Sequence, residues 1–188
     1  LDRNIVARAT RRPVGAAADT ASSTYSPRRP EDVAGDRARS FVYVADTGNH
    51  TLRKILPVGR VATVAGLAGS SGSADGTGGG AQFNQPRKAA ADSAGNLYVV
   101  DTSNQIIRKI TPAGVVTTLA GGVGVTGTND GPGTYARFNS PLGVAVDTNG
   151  TVYVADTYNH TIRKVTSGGV VTTLAGTPGV AGTNNGTG

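Results

Sequence analysis

Val152-Tyr153-Val154-Ala155-Asp156-Thr157-Tyr158-Asn159-His160-Thr161-Ile162-Arg163-Lys164 sets two short alternating segments around a polar turn, and the chain writes it three times. The carboxylate falls at Asp46, Asp101 and Asp156, an interval of 55 residues each time. The same interval relates Tyr43, Tyr98 and Tyr153, and the cations Arg53, Arg108 and Arg163. It also relates Gly66, Gly121 and Gly176, then Phe83 with Phe138 and Pro86 with Pro141. A fixed period without insertions marks one supersecondary unit stacked on copies of itself.

The third copy reads most clearly. A short apolar run over 143–147 leads into the turn signal Asp147-Thr148-Asn149-Gly150. The segment 151–156 alternates as a strand does, with Val152 and Val154 on one face and Tyr153 and Ala155 on the other. A second turn follows at 156–159, where Asp and Asn side chains bond their own backbone. A third strand spans 161–166, and after Ser167-Gly168-Gly169 a fourth ends at Gly176. No stretch of the unit has helical spacing over two turns.

One such meander leaves apolar residues on both faces, so it needs neighbours. Radial stacking of four-stranded sheets is a β-propeller. The predicted architecture is therefore all-β and partial: three four-stranded antiparallel blades plus a degenerate N-terminal strand and loop. Blades are expected at 30–66, 86–121 and 141–176, separated by long Gly-rich loops at 67–85 and 122–140. Residues 177–188 begin the next loop, and residues 1–29 are a worn repeat end. Phe83 and Phe138 are expected to wedge between adjacent blades, with the proline three residues later opening the innermost strand. Arg28-Arg29 stand near the place where the first blade lacks this Phe.

Composition adds exclusions. With no Cys there are no disulfides, thiolate metal sites or Cys nucleophiles. No apolar run approaches the ~20 residues that a membrane helix requires, and no signal peptide is visible at Leu1-Asp2-Arg3-Asn4. The net charge of +6 is divided evenly: residues 1–40 hold eight Arg against five acids, and the remainder ten cations against seven acids. Nucleic-acid domains gather such charge on one face, whereas here it is spread, which reads as a solvated surface.

Asn159-His160 with Ile162-Arg163, and Asn49-His50 with Leu52-Arg53, resemble the NHL repeat; Asn104-Gln105 with Ile107-Arg108 departs from it by losing the His. The resemblance is close from residue 30 onward. It implies a six-bladed propeller, of which this chain supplies about three blades and reads as a piece of a longer protein. Closing the ring requires the remaining blades of the same chain or a second copy. The resemblance also favours an extracytoplasmic location.

Chemistry has few places to reside. Asp46, Asp101 and Asp156 are the weak metal candidates, since resembling lactonases and lyases hold divalent metals in the central channel. A residue present in every blade is more simply architectural, each Asp capping the hairpin turn and pairing with Arg53, Arg108 or Arg163. His50 and His160 are expected as structural residues of the repeat. Asp75 and Asp130, with Asn185 in the third copy, are the candidate oxygen donors for Ca²⁺, but one acid per loop supplies too little charge for a tight site, and a plain turn is the favoured reading. No Gly-x-Ser-x-Gly elbow or phosphate-cradling Gly-Lys-Ser/Thr ending occurs.

The function expected is therefore non-catalytic: a scaffold presenting its inter-blade loops to a protein or glycan ligand. Asp75, Arg87, Lys88, Asn129, Asp130, Arg137 and Asn184 are the candidate contact residues. Tyr43, Tyr98 and Tyr153 are assigned to packing. The alternatives are part of a metal-dependent lactonase- or lyase-like propeller and, third, an RNA-binding propeller.

Overall fold

The structure, a computed structural model, describes residues 27–36, 41–57 and 59–183. Blade 1 is a meander of β1 (Pro30–Asp36), β2 (Phe41–Asp46), β3 (Thr51–Ile55) and β4 (Val61–Ala65). A two-residue strand, β5 (Gly76–Thr77), lies in the loop that follows. Blade 2 contains β6 (Pro86–Ala91), β7 (Leu97–Asp101), β8 (Ile106–Ile110) and β9 (Val115–Ala120). Its counterpart of β5 is β10 (Gly131–Pro132), which precedes blade 3: β11 (Pro141–Val146), β12 (Val152–Asp156), β13 (Thr161–Val165) and β14 (Val170–Ala175). All pairings within the three sheets are antiparallel.

Two sheets carry a strand beyond the expected four. β5 pairs with the outer strand β9, and β10 with β14. The loop entering each blade thus runs along that blade's outer edge before turning inward to its first strand. The backbone groups of an outer strand are otherwise unpaired, and covering them protects an edge. These loops are therefore part of the sheet rather than slack connections.

The two faces of each strand carry the stacking. Tyr43, Ala45, Leu52 and Ala65 of blade 1 meet Leu97, Val99, Ile110 and Val116 of blade 2 around Phe83. Tyr98, Val100, Ile107 and Ala120 then meet Val152, Val154, Val165 and Val171 of blade 3 around Phe138. Both wedges are fully buried. Every residue of β7 is buried because it has a blade on either side, whereas in β12 only alternate residues are. Similar sequence therefore acquires different burial from its place in the stack.

At Gly66, Gly121 and Gly176 the backbone has φ of 102°, 100° and 89°. A Cβ there would sit 2.5, 2.6 and 2.3 Å from the carbonyl oxygens of His50, Gln105 and His160. The outer strand ends against the turn of its own blade, and only glycine permits that approach.

One position in the unit is imperfect. Thr161 and Thr51 are buried with their hydroxyls lacking any hydrogen-bond partner, and the cognate residue in blade 2 is Ile106. Replacing an orphaned hydroxyl by a methyl of similar size removes a desolvation cost. Thr161→Val is expected to raise stability by about 1 kcal/mol, read as a higher urea midpoint at unchanged slope. Phe138→Ala is expected to cost about 3–5 kcal/mol through the cavity it leaves.

Candidate functional site

The polar repeat residues converge at one rim, where each blade turns between its second and third strands. After Asp101 the chain makes a 3₁₀ turn over Thr102–Asn104 and leaves through Gln105 in the left-handed region, φ 61°. Asp101 is fully buried, and both of its oxygens are used. Oδ1 accepts the backbone N–H of Asn84 at 2.7 Å, and Oδ2 accepts from Asn104 Nδ2 at 2.8 Å and Arg108 Nη1 at 3.1 Å. Asp156 repeats this with Asn139, Asn159 and Arg163 at 2.7, 2.7 and 2.8 Å. Asp46 has the Arg28 N–H at 2.8 Å, Asn49, and Arg53 Nε at 3.3 Å.

Arg108 is wholly buried, and its fork fixes the incoming loop. Besides Asp101, Nη1 donates to Gln82 O at 2.8 Å; Nη2 donates to Ala74 O at 2.9 Å and Asp75 Oδ1 at 2.8 Å. Asp75 in turn accepts from the N–H and hydroxyl of Thr118 on β9. The guanidinium lies over Phe83 at 5.0 Å, so the hydrogen-bond fork and the apolar wedge share one residue. In blade 3, Arg163 binds Arg137 O, Asn129 O and Asp130, and Asp130 takes Thr173. Arg163 lies 5.3 Å over Phe138.

The remaining turn residues reach the next blade. Thr47 Oγ1 donates to Pro86 O at 2.7 Å, and Thr102 Oγ1 to Pro141 O at 2.9 Å. His50 Nδ1 accepts the N–H of Gln85 at 3.1 Å; Gln105 Oε1 accepts that of Ser140 at 2.7 Å. The His of the repeat is thus an acceptor across the seam between blades, a task glutamine performs equally well.

These geometries place the residues singled out from sequence. Asp46, Asp101 and Asp156 occupy three separate buried networks, one per blade. Asp75 and Asp130 are bound to an arginine and a threonine on the outer edge, and Arg137 donates to the loop carbonyls of Thr134, Tyr135 and Ala136. Among the described residues no group of three His, Asp or Glu is arranged to hold a metal. Arg87 and Lys88 lie on the inner strand of blade 2, paired with Glu31 at 2.9 Å and Asp32 at 3.5 Å of blade 1. Tyr43 and Tyr98 are buried, whereas Tyr153, on the outward face of blade 3, is half-exposed. Asn184 and Asn185 lie outside the described residues. The position equivalent to Phe83 is held in blade 1 by Pro27, because Arg28 makes the contacts of Asn84.

The sequence singled out the inter-blade loops but not the apolar residues at their exposed tips. Each outgoing loop is tied to the rim by one backbone bond: Gly69 N–H to Asn49 O, Gly124 to Asn104, Gly179 to Asn159. Around these ties Leu67, Val123, Val125 and Val180 stand exposed, with Tyr158 beside them on its own turn. The available signal was an apolar residue in a Gly-rich segment that no strand pattern claims.

Burial pushes the carboxyl of Asp101 up to about 6, against the opposing pull of Asn104, Asn84 and Arg108, and raises that of Asp156. At Asp130, desolvation is outweighed by Thr173 and Arg163, which hold it low; the N–H of Thr151 leads in lowering Asp147. A raised folded pKa means the folded state binds more protons between about 4 and 6. The stability contributed by Asp101 is thus fully present at the acid end and lost as pH rises through about 6, and that from Asp156 is likewise present in acid and lost as pH rises. That from Asp130 and Asp147 is present above the ordinary carboxylate range and lost below it. The urea midpoint is expected to hold or rise from pH 7 to 5 and to fall below 4, with Asp101→Asn flattening the slope near 6. Arg108→Ala, which strands a buried carboxylate, is expected to cost about 3–5 kcal/mol. His50→Gln is expected to be neutral, and His50→Ala to cost about 1 kcal/mol; thermal unfolding distinguishes them.

A family model described as NHL repeat matches residues 138–165, which run from the Phe138 wedge to the end of β13. NHL repeat-containing protein 2 of Gallus gallus is 41% identical over 93 residues, covering 48% of this chain and 12% of that protein. The chain thus spans a small fraction of the curated relative's length. An auxiliary nutrient binding protein from Bacteroides thetaiotaomicron superposes with a TM-score of 0.63 at 28% identity, over 75% of this chain and 36% of that one. A gluconolactonase from Xanthomonas campestris shares the fold, at a TM-score of 0.54 and 14% identity, over 79% of this chain and 48% of that one. The period, the Asp-Thr-x-Asn-His/Gln turn with its arginine fork, the stacked antiparallel blades and these likenesses agree: the chain is a partial β-propeller that carries an NHL repeat at residues 138–165.

Proposed function

We propose that the chain is a non-catalytic binding scaffold whose rim of loop tips takes a protein or glycan ligand. The observation that carries this reading is a division of labour. The repeated polar groups are spent on holding blades together: Asp101, Asn104, Arg108 and Asp75 bond to one another and to the loop backbone. The residues that change from unit to unit stand exposed at the tips, where Val123 and Val125 are about half accessible while the backbone beneath them is fixed. Rigidly mounted apolar and aromatic side chains lose little entropy on contact, which suits them to recognition. The likeness to a nutrient binding protein supports a carbohydrate or peptide ligand; the fold itself also carries enzymes, so it does not decide the matter.

A glycan array and a displayed-protein panel, probed with the chain and its variants, test the reading. Ligands bound by the wild type are expected to lose at least about tenfold in affinity, roughly 1.4 kcal/mol, in a Val123→Glu, Val125→Glu double variant. Thermal midpoint should be unchanged, and Tyr135→Ala, on the outer edge beside Gly131, should have no effect. Binding indifferent to the tip substitutions, or turnover of a lactone substrate, would sink the proposal.

A further inference from the structure

The first strand of each blade, β1, β6 or β11, pairs on one side only, so its inner edge carries N–H groups that its own sheet does not use. In blade 2 the bond from Asp92 N–H to Asn96 O fixes the antiparallel alternation of bonded and unbonded pairs. Counting back from it, Ala91 and Ala89 fall in unbonded pairs, and the N–H of Ala89 points away from β7. Asp32 of β1 takes that N–H with Oδ2 at 3.1 Å. Blade 1 thus lends a carboxylate to the inner edge of blade 2.

Blade 3 repeats the edge without the carboxylate. The bond from Asp147 N–H to Thr151 O sets the same alternation. Val144, again three residues back, pairs with Val154 as Ala89 pairs with Val99, so its N–H also points off the inner edge. Asp32 stands opposite Ala45 of its own blade, and the residue at that register in blade 2 is Lys88, opposite Val100. A lysine has no acceptor to offer. No side chain among the described residues takes the Val144 N–H.

The charges are arranged to the same effect. Arg87 and Lys88 meet acids only toward blade 1, Glu31 at 2.9 Å and Asp32 at 3.5 Å. At the corresponding register blade 3 has Leu142 and Gly143, and glycine puts no side chain into the space. Arg87 Nε is buried with no acceptor. The side chain of Lys88 is 46% exposed, and its long contact with Asp32 leaves the ammonium free to swing on its stem.

We propose that the seam between blades 2 and 3 binds the carboxylate of a small organic acid, in the place that Asp32 fills at the seam before it. One oxygen accepts the Val144 N–H and the other meets the Lys88 ammonium. Such charge-assisted bonds are about twice as strong as neutral ones. Both flanks of this site lie within the chain, and it does not rest on the loop-tip reading.

An amide-resolved NMR titration of the 188-residue chain with acetate tests this, at constant ionic strength and with acetamide as the neutral control. The Val144 amide is expected to shift saturably with acetate and not with acetamide. Glucuronate and N-acetylglycine, run alongside, separate a sugar acid from an amino-acid carboxylate by which saturates first. Lys88→Gln should weaken acetate binding at least about tenfold. Gly143→Asp should supply the carboxylate internally, moving the Val144 amide without any probe and abolishing the titration. Its Cβ would lie 3.0 Å from that of Ala155, and Lys88→Gln decides the matter if that variant does not fold. A Val144 amide that ignores acetate, equal shifts with acetamide, or saturation indifferent to Lys88→Gln would overturn the proposal.

Discussion

The fold hangs on a buried guanidinium. Arg108 places one planar cation where four acceptors converge: the turn carboxylate, two loop carbonyls and the loop carboxylate. Burying a charge is costly unless the geometry compensates. The fork shape lets arginine serve the hairpin turn of its blade and the strap crossing that blade's outer edge together. The ring of Phe83 packs beneath it, so the ionic clasp and the apolar wedge are positioned by the same atoms. A lysine, with one point charge, lacks the reach to satisfy both carboxylates and both carbonyls.

Much of this was legible in the chain itself. The period of 55, the alternation in 151–156 and the Gly/Asn turns dictate antiparallel meanders that must stack, because local propensity and face pattern agree in every copy. The pairing of Asp101 with Arg108 also lies within reach of sequence reasoning, seven residues apart on adjacent strands. The partnership of Arg108 with Asp75 does not. It spans 33 residues and depends on the path of a loop that no alternation describes. A glycine-rich segment reads as slack until the groups that anchor it are seen, so the fifth strands β5 and β10 were hidden for the same reason. Likewise Pro27 stands where Phe83 stands one blade later, a correspondence fixed by the bonds of Arg28 rather than by similarity of residue type.

The candidate site follows from what the frame leaves over. Residues that recur in every unit bond to one another, and their chemistry is spent internally. On the function proposed above, recognition resides in what varies, at the loop tips, while the inner strands also vary, Glu31 and Asp32 in one blade being answered by Arg87 and Lys88 in the next. A shared fold can carry a nutrient-binding protein and a gluconolactonase alike because stacking places no demand on those positions.

The side-chain bonds among the described residues join partners no more than 57 positions apart, scarcely beyond one period. Among the described residues no such bond ties the first unit to the third. At the level of the gene, a whole unit could therefore be duplicated or lost by unequal recombination with the two flanking seams rejoined unchanged, since each seam joins the same kinds of apolar face and the same polar pair, a Thr and a His or Gln on one side and a left-handed residue before Pro on the other. An insertion of any other length would part the arginine from its loop. The arrangement makes the 55-residue block the coin in which such a protein grows, and it accounts for three copies kept in strict register.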